Sequence, residues 1–421
     1  MNIRNAIEKL AKNVIQIKQE LKHDEAVEFI LKNKYEKTPI ILNVEGKKVA
    51  MNFASSRSLL CKYMEISERD FAKYLAEIKI NNNIKIEKDF KLKEGTVNLH
   101  SLPILKYFKK DGGRYITGGV LIARANDAKV TDPKSYNCSI HRLMVLNKKE
   151  LVARIVAPRH TYMLWKREIE REKDLPIAIA IGVHPLCLFS SATRLPFGME
   201  YYYSNSLIKN FKLYEVDDML VPDCEILMIG KMTGRLENEG PFVDLTGTYD
   251  KVRKQPVIEI EKLYMAEDPI YYAIIPASSE HATLMGLPYE PVIYKAVSNV
   301  CDVKNVVLTP GSRHYFHAVI QIRKITEGDA KNAILAAFAA HTSLKMVIIV
   351  DEDIDVYNHE EIEYALATRV QPDKDVLIIS NIRGSSLDPS AKDGITSKWG
   401  IDATMPLSRK QDFERVDKLC I

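Results

Sequence analysis

Residues 135–157 read SYNCSIHRLMVLNKKELVARIVA, two apolar, β-branched runs joined across a short polar connection. Such a pattern is that of a hairpin, and alternation along SYNCSIHR puts Asn137, Ser139 and His141 on one face and Cys138, Ile140 and Arg142 on the other. Similar runs lie on both sides: YITGGVLIARA from Tyr115, IAIAIGV from Ile177, CEILMIGKM from Cys224, VIEIEKLYM from Val257 and PIYYAIIP from Pro269. Their spacing predicts a largely antiparallel sheet or barrel between Tyr115 and Ala277, with helices near residues 160–172 and 198–209.

Outside this β-rich section the rhythm changes. Towards the N-terminus, Ile3, Ile7, Leu10, Val14, Ile17 and Leu21 recur at helical spacing with charges between them, which predicts one amphipathic helix and no signal peptide. TPIILNVEGKKVAMNF predicts a hairpin turning at Glu45-Gly46, and Ser67 opens a helix over ERDFAKYLAEI. Towards the C-terminus, NVVLT, AVIQIRKI, GDAKNAILAAFAAH, KMVIIVD, HEEIEYALATR and DVLIIS alternate strand and helix, which implies a parallel element. A helix over 280–298 links the sections, and the Gly-, Ser- and Pro-rich tail after 383 reads as irregular. The expected fold class is a multi-domain α+β and α/β chain divided into residues 1–115, 116–298 and 299–421.

Composition excludes several classes. With 60 Lys+Arg against 56 Asp+Glu, interspersed, the chain carries no nucleic-acid footprint. Its longest apolar stretch, Leu175 to Ser190, is broken by Pro176, His184 and Pro185, so no membrane span is expected. Cys61, Cys138, Cys187, Cys224, Cys301 and Cys420 form no CxxC, which argues against a disulfide framework or a zinc site. The chain reads as cytoplasmic. Walker, GxGxxG and GxSxG motifs are absent.

Several residues are candidates for chemistry. ENEGPFVD sets Glu239 and Asp244 on either side of a Gly-Pro turn, where two carboxylates that share a cavity oppose each other's ionisation and keep a proton available. Alone, the segment reads as an acidic surface turn. Arg142 serves the same site as Asn137 only if a bulge or bend interrupts their strand. PRHTYMLW starts a helix whose first amides, with Arg159 beside them, suit a phosphate, and His160 stands at that terminus. Ser190, Ser191 and Glu200 follow in LFSSATRLPFGMEYYY; Asn, His and Glu make a mixed O/N set suited to Mn²⁺ or Mg²⁺. Lys345 precedes a buried-looking strand, and the DEDID cluster after it lacks the EF-hand pattern, so a solvated strand end and helix cap is its expected role.

Order and spacing together resemble the UbiD family of reversible, non-oxidative decarboxylases along nearly the whole chain. The matching features are Asn137 and Arg142, His160, Ser190 with Glu200, EGPFVD, Lys345 before IIVDEDID, and the closing SSLDPSAKDG and GIDAT segments. The resemblance implies an N-terminal α/β domain, a split β-barrel flavin domain, a linking helix and a C-terminal α/β assembly domain. It implies prenylated FMN as cofactor, contacted by Asn137, Ile140, Arg142, Arg159, His160, Ser190, Ser191, Glu200 and Lys345. Asn137, His160 and Glu200 would hold Mn²⁺ (or Mg²⁺), Ser190 would help a K⁺ ion, and Lys345 would pair with the flavin phosphate.

Arg142, Glu239 and Asp244 would form the acid/base network, with Asp244 as the acid. The implied partners are a small carboxylic acid, a flavin prenyltransferase that supplies the cofactor, and further copies of the chain in a dimer or hexamer. Within the family the motifs look most like the archaeal branch acting on trans-anhydromevalonate 5-phosphate, whose terminal phosphate would need cations such as Arg194 or Lys109. A hydroxybenzoate-type aromatic acid is the alternative substrate, and a non-catalytic flavin-binding subunit is the alternative of another class.

Overall fold

The computed structural model describes residues 1–416; Cys420 lies outside them. Contacts divide the chain into two units, one of residues 1–65 and 79–284, the other of 66–78 and 285–421.

The first unit is built on a nine-stranded antiparallel sheet. Its order is Tyr115–Ile116, Leu143–Val145, Glu150–Ala153, Arg253–Met265, Ile226–Glu239, Leu175–Ile181, Gly119–Arg124 and Tyr136–Ile140, with Lys93–Gly95 paired to Arg253–Met265. Strand Tyr136–Ile140 closes one end of that order, yet Leu143–Val145, second from the other end, follows it after only His141 and Arg142. Two residues cannot bridge a flat sheet of this width, because neighbouring strands lie nearly 5 Å apart. The sheet therefore curls until its ends meet, a half-barrel with Arg142 at the seam.

The two long strands at its centre make the curl possible. Their register shifts between Ile229 and Gly230 and again between Met232 and Leu236, and such shifts bend a sheet. At Gly230 a Cβ would stand 2.0 Å from the Glu259 carbonyl oxygen, so only glycine fits there. Gly119–Arg124 is buried on both faces, as is Ile177–Ile181, which explains why these runs are continuously apolar.

The same unit carries a four-stranded mixed sheet ordered Ile15–Leu21, Ile40–Val44, Lys47–Met51 and Ile270–Tyr272. The expected hairpin is there, with Glu45 and Gly46 both at positive φ as a tight two-residue turn needs. The single N-terminal helix is not. It spans only Ile3–Leu10, and Ile15–Leu21 pairs parallel to Ile40–Val44, because IQIKQEL fits a period of two as well as one of 3.6.

The second unit holds a five-stranded sheet ordered Asp302–Leu308, His317–Arg323, Met346–Val350, Ile395–Ala403 and Val376–Arg383. Its three inner strands are parallel, as the strand-helix-strand rhythm predicts, and both edges are antiparallel. The tail after 383 is not all irregular: Ile395–Ala403 runs beside Met346–Val350 in the interior of the sheet. The helix expected over 280–298 is two, Ser279–Gly286 and Tyr289–Val297, parted at Leu287-Pro288, where proline removes a donor and restricts the residue before it. The five described cysteines are free, and among the described residues no helix is long and apolar enough to cross a membrane.

Candidate active site

Arg142 leaves the seam inward and is gripped by carboxylates. Its Nε and Nη2 donate to the two oxygens of Glu239 at 2.9 and 2.8 Å, a bidentate pair, while Nη2 also donates to Asp250 Oδ2 at 2.9 Å. Nη1 points to Asp244 Oδ2 at 3.7 Å. Glu239 is fully buried and Arg142 is 11% exposed, whereas Asp244 keeps 24% of its side chain accessible. Burial works to lower the Arg142 pKa, but the Glu239 bonds and the fields of Glu239, Asp250 and Asp244 outweigh it and hold the guanidinium above its ordinary value.

The turn after Glu239 sets this geometry. Glu239 ends its long strand, Gly240 adopts φ +99°, the Gly240-Pro241 bond is cis, and Phe242–Val243 pairs with Tyr249–Asp250. Asp244 closes the hairpin: its N–H donates to the Thr248 carbonyl, and its Oδ1 accepts from the Leu245 amide at 2.7 Å, leaving Oδ2 to face Arg142. Gly112 N–H donates to the Pro241 carbonyl at 2.9 Å and packs so closely that a Cβ would meet Gly240 O at 2.3 Å. The Phe242 ring lies 5.3 Å from the Arg142 guanidinium and 4.1 Å from the Tyr115 ring, and Tyr115 Oη donates to Glu239 Oε1 at 3.3 Å. ENEGPFVD is thus a half-buried turn with Glu239, Phe242 and Val243 inside and Asn238 exposed.

The strand break at His141-Arg142 supplies the bend that a shared site requires. Asn137, Ser139 and His141 do share a face, and Thr161 from the helix His160–Ile169 completes their cluster. Asn137 Nδ2 donates to Ser139 Oγ at 3.2 Å and to Thr161 Oγ1 at 3.0 Å, while Ser139 Oγ lies 2.8 Å from His141 Nε2. His141 Nδ1 donates to the Arg154 carbonyl at 2.9 Å, and burial lowers the ring's pKa to about 4, so the ring is neutral with Nε2 accepting.

Asn137, His160 and Glu200 come from three elements whose neighbouring residues touch. Asn137 bonds Thr161, the neighbour of His160; the His160 ring packs edge-on against Phe197, three residues before Glu200; and the Glu200 carboxylate faces the Cys138 main chain. Glu200 is 4% exposed, its Oε2 has no hydrogen-bond partner, and burial raises its pKa to about 8. Burial, with Arg159 adding to it, lowers the His160 pKa and favours neutral imidazole. An orphaned carboxylate oxygen, a neutral imidazole and an amide whose nitrogen is already engaged fit a divalent cation of the Mn²⁺ or Mg²⁺ type. Among the described residues no three His, Cys, Asp or Glu side chains form such a set.

Ser190 Oγ donates to the Glu200 carbonyl at 2.7 Å and Ser191 Oγ to Cys187 O at 2.9 Å. Arg159 is the N-cap of the helix His160–Ile169, without a side-chain cap, so the first amides remain available to an anion, and Ile140 is the last residue of its strand. Lys345 lies in the second unit, where its Nζ donates to Asp388 at 2.8 Å and to Ser390. The DEDID cluster is not a solvated strand end: buried Arg369 reaches back from its helix to Asp351 at 3.0 Å and to both oxygens of Asp353. Sequence reading missed Asp250 and Thr161. Asp250 lies at the far end of the hairpin from Glu239 in a run, TYDKVRK, that carries no motif.

The curled half-barrel thus carries at its seam an arginine bound by Glu239 and Asp250 and facing Asp244, an arrangement suited to acid/base chemistry. Residues 79–279 match the model for the 3-octaprenyl-4-hydroxybenzoate carboxy-lyase Rift-related domain, and residues 282–403 match that for the C-terminal domain of the same enzymes. The chain is 52% identical over 419 residues to the anhydromevalonate phosphate decarboxylase of Archaeoglobus fulgidus, covering 99% of this chain and 96% of that one. It is 47% identical to the Methanosarcina mazei enzyme of the same name, covering 90% of each. Among solved structures, the UbiD-class enzyme HmfF of Pelotomaculum thermopropionicum in complex with FMN superposes with a TM-score of 0.92 at 33% identity, covering 99% of this chain and 97% of that one. The chain belongs to the UbiD family of carboxy-lyases.

Proposed function

We propose that this chain decarboxylates trans-anhydromevalonate 5-phosphate to isopentenyl phosphate and CO₂ with prenylated FMN as cofactor. The observation that carries the reading is the Arg142 clamp on Glu239, Asp250 and Asp244, in a chain 52% identical along 419 residues to an anhydromevalonate phosphate decarboxylase.

Prenylated FMN, when bound, supplies the electron sink that a vinylic carbon–carboxylate bond lacks. The protein's part is orientation and proton transfer. Glu239 and Asp250 fix the guanidinium plane, so that Arg142 Nη1 is the donor left to meet the substrate carboxylate. As that carbon–carbon bond breaks and CO₂ leaves, Asp244 delivers a proton from Oδ2 to the carbon left behind. Its accessible edge lets it take a new proton from solvent before the next turnover. The aromatic side chains of Tyr115 and Phe242 keep water from the Glu239 face.

Asn137, His160 and Glu200 would hold Mn²⁺, which would supply positive charge to the flavin phosphate; the amides at the start of the helix His160–Ile169 would donate to that phosphate, and Ser190 with Ser191 would assist a K⁺ ion. A flavin prenyltransferase supplies the cofactor. The test is incubation of the chain, co-expressed with such a prenyltransferase, with the phosphorylated acid and with a 4-hydroxybenzoate, measuring CO₂. Release from the phosphorylated acid is expected; release only from the aromatic acid would overturn the substrate.

A further inference from the structure

An acid with a carboxylate at one end and a phosphate at the other needs two cationic anchors, and Arg142 can be only one of them. Three of its contacts are already hydrogen bonds to Glu239 and Asp250. The curled sheet places a second arginine beside it. Ala153 pairs with Leu143 in the antiparallel ladder, and the Arg154 amide donates to the Arg142 carbonyl at 3.1 Å, so the two arginines stand opposite each other across neighbouring strands. Residues opposed in this way have their side chains on one face, about 5 Å apart at the backbone.

Arg154 is held loosely. Its nearest carboxylate, Asp250 Oδ2, is 3.8 Å from Nε, outside hydrogen-bond range, and its one side-chain hydrogen bond among the described residues runs from Nη1 to the neighbouring Ile155 carbonyl. Arg253 arrives from the next turn, its Nη1 in an ion pair with Asp250 Oδ1 at 2.6 Å and donating to the Lys251 carbonyl at 3.1 Å, with its side chain 38% exposed. Burial, and then the positive charges of Arg253 and Arg142, lower the Arg154 pKa, the signature of a cation short of negative charge. Asp250 is the hinge of the set, since all three guanidiniums converge on its two oxygens.

We infer that Arg154 and Arg253 form the binding site for the phosphate of the substrate, with Asp250 ordering them and separating them from Arg142. The spacing suits a six-carbon acid phosphate with five carbons in its main chain, whose charged ends lie roughly 6–8 Å apart at ordinary bond lengths. An arginine pair is also the chemistry expected for a phosphate, which offers several acceptors to planar donor forks. This inference rests on the substrate reading above and replaces Arg194 and Lys109 as the phosphate contacts.

The test compares flavin-loaded wild type, Arg154→Gln and Arg253→Gln on the phosphorylated acid and on the same acid without its phosphate. In Arg154→Gln the ratio of kcat/KM for the two acids should fall roughly 30-fold, and in Arg253→Gln roughly 10-fold, the range for losing charge-assisted hydrogen bonds. Arg154→Lys should restore part of the ratio. Isopentenyl phosphate should raise the Tm of wild type and not that of Arg154→Gln, a readout independent of turnover. Equal losses on both acids, or a product-induced Tm rise that survives in both glutamine variants, would mean the arginines only brace the turn and would overturn the inference alone. A wild type inactive on the phosphorylated acid but active on another would overturn the substrate reading, and this inference with it.

Discussion

Two buried arginines in this chain are clamped by carboxylates, and they do different work. Arg369 in the second unit has a fully buried side chain; its Nη1 and Nη2 are consumed by Asp351 and Asp353, and the Met405 amide caps Asp351 Oδ2 at 2.7 Å. Arg142 at the half-barrel seam binds Glu239 and Asp250 as tightly, but its Nη1 is left facing an accessible Asp244 across 3.7 Å. In the first network the bonds of both Nη atoms end on carboxylates and hold a strand end, a helix end and the chain after Ala403 together, although Asp353 itself is 39% exposed. The second is open on one side, and that unfinished contact at an accessible edge is where the substrate carboxylate is proposed to bind. Burial and charge pairing therefore do not distinguish architecture from chemistry, nor does an unpartnered donor alone, since Arg369 Nε is buried without one; what sets Arg142 apart is that its spare Nη1 faces an accessible carboxylate.

That contrast can be broken by substitution. The largest effect is expected for Glu239→Gln, which removes the charge that aims Arg142: CO₂ release should fall by about three orders of magnitude while flavin absorbance is retained. Asp244→Asn removes the proton donor but not the clamp, so kcat should fall by about two to three orders of magnitude with a smaller change in KM, read from steady-state kinetics. Arg369→Met should act on stability instead, lowering the unfolding free energy in urea by about 3 kcal/mol because Asp351 and Asp353 are left without their cation. The turnover of the folded enzyme should not change.

The smallest effect concerns Asp111, in the loop that packs on the Gly240-Pro241 turn. Its Oδ1 is buried without a partner, and burial raises its pKa to about 6 against the pull of the Phe108 and Tyr107 amides and of Lys106 and Arg142. A carboxyl raised in the folded state stabilises it most below the unfolded pKa of about 4, and that contribution is lost as pH rises through about 6. Asp111→Asn should abolish that dependence and leave the variant more stable than wild type at pH 7 by about 1–2 kcal/mol, allowing for screening. Urea midpoints at pH 4.5 and 7 measure it.

Much of this was readable from residue order. The Glu45-Gly46 hairpin and the parallel strand-helix-strand core follow from turn chemistry and period, whereas the pairing of Arg142 with Glu239 follows only from the resemblance to the family. Other elements carry no local signal. Pro185–Ala192 is a helix buried on every side, so it has no polar stripe to reveal its period. Ile395–Ala403 contains Lys398 and Gly400, which disguise a core strand. Yet Lys398 is buried with its Nζ on the Thr342 carbonyl, and a Cβ at Gly400 would meet Ile334 at 2.3 Å.

The same limit hid part of the site. Asp250, Thr161 and Arg154 reach it only because the sheet curls, and closure between strands distant in sequence leaves no spacing to read. Glu239 and Asp244, on either side of one short turn, stand out as a pair by spacing, but only the resemblance to the family places them in the site.

The most direct test of the central claim is one turnover of carboxyl-¹³C-labelled trans-anhydromevalonate 5-phosphate in D₂O by flavin-loaded wild type, Glu239→Gln and Asp244→Asn, followed by NMR. Wild type should release one ¹³CO₂ for each isopentenyl phosphate, with one deuterium on the carbon that held the carboxylate, while both variants bind flavin and release little. Undiminished ¹³CO₂ from the Glu239→Gln protein would contradict an active site centred on the Arg142 seam.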